Sequence, residues 1–212
     1  MRRLIAIGAS MGGIVAVESV ISRLPADTPP IVIVQHILPA FTGPFAKRLD
    51  ASGPITVVEA ANGDALRQGV AYLAPPHHHL LVKSVNGEMR AILSAAPPVR
   101  FHRPSVDALF HSLAELESVD IVAALLSGMG SDGADGLLAL RRKGARTIAQ
   151  DESSSLIFGM PKEAIARGAA EQIVSLEELP AAILACLGSW ETSRGATRGA
   201  LAHMVRRRAR RA

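Results

Sequence analysis

The chain has a single cysteine, Cys186. That excludes an internal disulfide framework and suits a reducing cytoplasm. It sits in the apolar stretch 181–187 and reads as a small buried hydrophobe, not a nucleophile. Aromatics are scarce at 3%, so any core must be built mainly from Ile, Val, Leu and Ala. No run approaches the ~18 apolar residues of a membrane span. Met1-Arg2-Arg3 followed by apolar Leu4–Val17 imitates the start of a secretory signal. Gly8, Ser10, Gly12 and Gly13 interrupt that stretch, Glu18 follows it, and no small-x-small cleavage site is present. The segment therefore reads as part of the fold, and the expected location is the cytoplasm.

An excess of positive charge is also missing from most of the chain, despite a net charge of +4. Residues 189–212 carry seven Arg and one Glu, a net +6, which leaves residues 1–188 near −2 with 16 basic and 18 acidic groups. The body thus lacks the basic stripe of a nucleic-acid binder, and no specific nucleic acid is expected as partner. The expected division is a folded domain over 1–188 and a basic, solvated tail over 189–212. What is present in quantity is apolar: 49% of 212 residues, ample for one compact domain.

The apolar residues alternate between two periodicities. Leu4–Gly8 reads as a short buried strand, and Gly13–Leu24 as a helix stopped by Pro25. Ile31–Val34 is a second strand, Phe41–Leu49 a helix and Thr56–Glu59 a third strand. Such alternation indicates a parallel sheet with right-handed crossovers. Ala71–Ala74 and Leu80–Val85 are strand-like, and Asn86-Gly87 supplies a hairpin turn into Met89–Leu93. Alternation resumes with helix Ser105–Leu116, strand Ile121–Leu126, helix Asp135–Lys143, strand Arg146–Ala149, helix Pro161–Arg167, strand Gln172–Val174 and helix Leu176–Leu187. The expected fold is α/β, a doubly wound, mostly parallel sheet with helices on both faces and an antiparallel hairpin insertion at about 71–94.

In open parallel sheets functional residues gather at the carboxyl ends of strands. Those ends here carry Gly8-Ala9-Ser10-Met11-Gly12-Gly13, then Gln35-His36, then Ser127-Gly128-Met129-Gly130-Ser131-Asp132-Gly133. A serine, a histidine and an aspartate thus fall on one rim. A serine hydroxyl is a weak nucleophile until an imidazole accepts its proton, and the imidazole needs a carboxylate to fix its tautomer. Ser10, His36 and Asp132 are the candidate catalytic triad. Glycines around them, Gly12 and Gly13 especially, would allow sharp turns and let backbone N–H groups point into the site.

Each piece has a blander meaning. The glycine loop after the first strand could cradle a dinucleotide, but its pattern is not G-x-G-x-x-G, and His36 stands where a ribose-binding carboxylate belongs. Ser10 could merely cap the next helix, and Asp132 could cap the helix after it. His77-His78-His79 suggests a metal, yet consecutive ligands point in different directions and no Cys or carboxylate cluster lies nearby in sequence. No metal and no cofactor is expected.

Six motifs in order complete the reading: Gly8-Ala9-Ser10-x-Gly12-Gly13, Gln35-His36, Ala74-Pro75-Pro76, His102-Arg103-Pro104-Ser105-Val106-Asp107, Gly128-Met129-Gly130-Ser131-Asp132-Gly133 and Phe158-Gly159-Met160-Pro161. Over residues 3–187 the chain resembles the catalytic domain of the chemotaxis protein-glutamate methylesterases, the CheB family. The resemblance implies a serine hydrolase that removes methyl esters from glutamate side chains of chemoreceptor cytoplasmic helices or another methylated signalling protein, with release of methanol and, in some members, deamidation of receptor glutamines. It places the nucleophile on Ser10, the base on His36 and the orienting acid on Asp132. It also places the oxyanion-binding backbone on Met129, followed by Gly130. Two departures stand out. Met11 replaces the threonine common after the nucleophile, so a hydroxyl contact is lost there. The chain also opens three residues before the catalytic strand, without the receiver domain typical of the family, so control by aspartyl phosphorylation in the same polypeptide is not expected. The competing readings are a non-catalytic binding protein on the same scaffold and a nucleotide-binding module. The basic tail is expected to contact an acidic protein or membrane surface.

Overall fold

A computed structural model of the chain describes residues 2–189. Apart from Ser189, the expected basic tail over 189–212 lies outside the described residues. Nine strands and six helices make up the described part. In chain order they are β1 (Arg2–Ala9), α1 (Gly13–Ile21), β2 (Ile31–Gln35), α2 (Pro39–Asp50), β3 (Thr56–Glu59), β4 (Val70–Leu73), β5 (His79–Val85), β6 (Glu88–Ser94), α3 (Val106–Ala114), β7 (Val119–Leu125), α4 (Ala134–Arg142), β8 (Arg146–Gln150), α5 (Met160–Ala166) and β9 (Gln172–Val174), followed by α6 over 179–189.

Seven strands form one parallel sheet in the order β3-β4-β2-β1-β7-β8-β9. The chain winds outward from β1 in one direction and then, from β7, in the other. The order therefore reverses beside β1, where an open α/β sheet leaves a crevice at the strand ends. Successive residues of a strand face opposite sides, and the packing obeys this. Ile5, Ile7, Ile31 and Ile33 face α1, α2 and α6 through Val17, Ile21, Leu49 and Ile183. Leu4, Ala6, Val32 and Val34 face α3, α4 and α5 through Leu109, Phe110, Leu137 and Met160. With both faces covered, the central strands are continuous apolar runs. Cys186 is buried in the first of these layers.

The antiparallel insertion is narrower than 71–94. Residues 70–73 pair in parallel with both β2 and β3, so β4 belongs to the main sheet. Only β5 and β6 pair antiparallel, with Asn86 and Gly87 at positive φ in the turn between them. The reason is burial: Ala71, Tyr72 and Leu73 are all enclosed, as a strand covered on both faces requires, whereas β5 and β6 alternate inside and out. The hairpin lays Leu80, Val82, Met89 and Ala91 against the α3 side of the sheet. The last helix begins at 179, not 176, and Ser175 and Glu178 cap it reciprocally. The Ser175 hydroxyl accepts from the Glu178 N–H, and the Glu178 carboxylate accepts from the Ser175 N–H. No helix among the described residues is long and apolar enough to cross a membrane.

Candidate active site

Ser10 follows β1 and His36 follows β2. These strands pair in register up to Ala9 opposite Gln35, and the His36 N–H closes the ladder on the Ala9 carbonyl at 3.0 Å. Ser10 and His36 therefore leave neighbouring strands side by side, about 4.8 Å being the strand separation. The third member comes from the far side of β1. The loop after β7 carries Asp132 to His36, where Nε2 donates to Asp132 Oδ2 at 2.8 Å. A carboxylate only accepts, so this contact fixes the proton on Nε2 in the neutral ring. The remaining ring nitrogen, Nδ1, is buried and has no hydrogen-bond partner among the described residues.

Neither capping alternative describes these residues. The N-caps of α1 and α4 are Gly12 and Gly133, both left-handed and both without a side-chain cap. At the start of α1 Ser10 contributes its carbonyl, which accepts from the Gly13 N–H, and not its side chain. Asp132 does cap a helix, but a different one. Its carboxylate accepts from the backbone N–H groups of Val106 at 2.7 Å and Asp107 at 3.0 Å, and from the Ser105 hydroxyl at 2.8 Å, at the start of α3. Burial alone would raise the Asp132 pKa. The hydrogen bonds from His36 and from the Asp107 and Val106 N–H groups outweigh it and hold the carboxyl below its ordinary range.

Three participants carried no role in the sequence reading. His102 stacks on His36 with ring centroids 3.9 Å apart and planes 12° from parallel. Burial lowers its pKa, and the charge that His36 takes on when protonated adds to this, against the pull of Asp132. Ser105 caps α3 through its hydroxyl, which accepts from the Ala108 N–H while donating to Asp132. A serine just before an apolar helical run was a readable signal for that cap. Gln35, buried at the end of β2, donates from its side-chain amide to the carbonyls of Ser10 at 2.7 Å and His36 at 3.0 Å. His102, Ser105 and Gln35 all stand inside the ordered motifs, yet only folding reveals what they touch.

The loop expected to bind the oxyanion lies against Ser10. A Cβ added to Gly128 would sit 2.8 Å from Ser10 Cβ and 2.2 Å from the Met160 sulfur. The Gly128 carbonyl accepts from the N–H groups of Gly159 and Met160, which anchors Met129 and Gly130 at the rim. Gly130 takes φ 86° and Gly12 takes φ 85°, conformations that favour glycine at both loop bends. Gly13 is held by space, because a Cβ there would fall 2.2 Å from Gln35 Oε1 and 2.6 Å from Ala9 Cβ. Met11 projects outward, while its carbonyl accepts from the Ser127 hydroxyl.

The triple histidine separates. His79 is buried, accepts from the Ser105 N–H through Nδ1, and donates from Nε2 to the Pro97 carbonyl. Nδ1 thus joins β5 to the start of α3, and Nε2 joins it to the loop after β6. His77 and His78 belong to the turn before β5, and no group of three or more His, Cys, Asp or Glu among the described residues could hold a metal ion.

The family model described as CheB methylesterase matches residues 5–183. A protein-glutamate methylesterase/protein-glutamine glutaminase of Anaeromyxobacter dehalogenans is 53% identical over 182 residues, 86% of this chain and 52% of its own. One of the same description from Paraburkholderia xenovorans is 49% identical over 187 residues, 88% of this chain and 52% of its own. The chain thus spans about half the length of the curated relatives it matches. The crystal structure of the Thermotoga maritima CheB methylesterase catalytic domain superposes with a TM-score of 0.84 at 35% identity, covering 86% of this chain and 97% of that one.

Proposed function

From its membership of the CheB methylesterase family, to which the chain belongs, we propose that this protein hydrolyses γ-methyl esters of glutamate side chains on a chemoreceptor or a related methylated signalling protein. Residues 1–188 are its catalytic domain. The observation that carries the reading is the His36–Asp132 hydrogen bond at 2.8 Å, set beside Ser10 at the neighbouring strand end.

Ser10 is the nucleophile. Its Oγ bonds to the ester carbonyl carbon while its proton passes to His36 Nδ1, the ring nitrogen that Asp132 leaves unused. The imidazolium that forms is stabilised by Asp132, whose carboxyl is held below its ordinary range by the hydrogen bonds it accepts. The tetrahedral oxyanion lies toward the Met129 and Gly130 backbone at the rim. Collapse expels the methoxy group, which takes the proton from His36 and leaves as methanol. Water then adds to the acyl-Ser10 ester, with His36 accepting its proton and returning it to Ser10. The products are a glutamate carboxylate and methanol. The relatives are named for glutaminase activity as well, and the same steps with ammonia as leaving group deamidate a glutamine. The basic segment 189–212 supplies a second contact, with an acidic protein surface or the anionic membrane face.

Incubation with receptor membranes carrying tritiated methyl esters tests this reading. Volatile methanol is expected, and covalent labelling of Ser10 by a fluorophosphonate should abolish it. A folded protein that binds methylated receptor yet releases no methanol and takes no label would be a binding protein on this scaffold.

A further inference from the structure

Gln35 is a buried polar side chain at the carboxyl end of a central strand, and it spends its amide on two particular carbonyls. One belongs to Ser10 and the other to His36, at 2.7 Å and 3.0 Å. With two acceptors facing it, the nitrogen's position is set by chemistry, since a flipped amide would press oxygen on oxygen. Its Oε1 is buried without a hydrogen-bond partner among the described residues and faces the space where a Gly13 side chain would begin. A buried polar group left half-satisfied costs stability. An apolar residue of the same length would fill that space without the loss.

We propose that Gln35 is a positioning residue: its amide ties the backbone of the nucleophile to the backbone of the base, and Gly13 exists to admit it. β1 and β2 share ladder hydrogen bonds only as far as the bond from His36 to Ala9. Beyond that point the two chains part, Ser10 into a turn and His36 toward α2. The Gln35 amide is the bridge between them after the ladder ends. The same device recurs at the end of β8, where buried Gln150 accepts from the Ser127 N–H and donates to the Ser154 carbonyl. A strand-terminal glutamine thus pins the loops at two points on one rim. Reaction rates are steep in this geometry, since a misplacement of about 1 Å lowers turnover by about 100-fold.

The inference rests on Ser10 and His36 acting as nucleophile and base. The test is the rate of Ser10 labelling by a fluorophosphonate, with kcat and KM for a methylated receptor peptide, in wild type, Gln35→Met and Gln35→Asn. Gln35→Met keeps the length and removes both donors. Gln35→Asn keeps the amide but withdraws it by one methylene. Both should fall about 10- to 100-fold in labelling rate and in kcat, with KM within twofold and the shape of the pH–rate profile unmoved. Gln35 is uncharged, and the ionisable groups in contact with His36, Asp132 and His102, are untouched. Cooperative thermal unfolding identifies the molecules that are folded. If wild type takes no label at Ser10, the nucleophile assignment fails. If wild type is labelled and either folded variant is labelled at the same rate with the same kcat, the positioning role fails. Should Gln35→Met not fold, Gln35→Asn alone decides by the same criterion.

Discussion

At the scale of single residues the site is defined by what each atom has left to offer. His36 spends Nε2 on Asp132, so only Nδ1 remains to move a proton. Ser10→Ala or His36→Ala is expected to lower methanol release by at least ~10³-fold in a protein that still unfolds cooperatively. Activity within tenfold of wild type would remove the triad. Asp132 is different, because four donors converge on it. Asp132→Asn is expected to lose activity and stability together, and the pH dependence should show why. The folded-state pKa is depressed below the unfolded value. The associated stability is therefore fully present above the ordinary carboxylate range and is lost as pH falls through the depressed folded value. Thermal unfolding from pH 7 down to pH 3 should reveal a steeper loss in wild type than in Asp132→Asn. Parallel curves would mean that the carboxylate adds nothing as an ion. His79 makes the complementary case. Its two nitrogens are committed to Ser105 and Pro97, so EDTA should leave methanol release unchanged, whereas loss restored by added zinc would return the histidine run to the chemistry.

Between elements the decisive contacts are those where a backbone must come close. Gly128→Ala would drive a methyl into the Met160 sulfur and Ser10 Cβ at once. Overpacking of this kind costs about 1–3 kcal/mol. Because the strain falls on the proposed nucleophile, kcat should drop by much more than the melting temperature suggests, which kinetics and calorimetry on one preparation would show. Most of the sheet was legible beforehand, since β-branched runs alternating with helical spacing leave few topologies. The edge of the insertion was not. Residues 70–73 look the same in sequence whether they pair parallel or antiparallel, and only the partners β2 and β3 settle it. Ser10, His36 and Asp132 were visible as three strand-end side chains on one rim. The stack of His102 on His36, the Asp132 cap on α3 and the Gln35 bridge were not, because each joins segments that sequence spacing does not relate. Asp132 illustrates the difference: a capping aspartate was foreseen as an alternative, but on the wrong helix.

Over the whole molecule charge is divided. Residues 1–188 are near −2 and residues 189–212 hold +6. If the basic segment tethers the enzyme to acidic receptor helices or their membrane, deleting 189–212 should leave hydrolysis of a short methylated peptide unchanged and slow turnover on receptor membranes. Raising the salt should erase the difference, because exposed charges are screened within ~8 Å at physiological ionic strength. Equal rates on membranes at low salt would assign the segment no tethering role. The double duty of Asp132 reaches further, into how such a molecule could decay. A descendant that gave up hydrolysis could lose Ser10 at little structural expense, since only its backbone is used by its neighbours. Losing Asp132 would leave the Val106 and Asp107 N–H groups at the start of α3 without their acceptor. Among silenced copies of this scaffold the aspartate should therefore outlive the serine. Its persistence alone is then poor testimony that a relative still turns over.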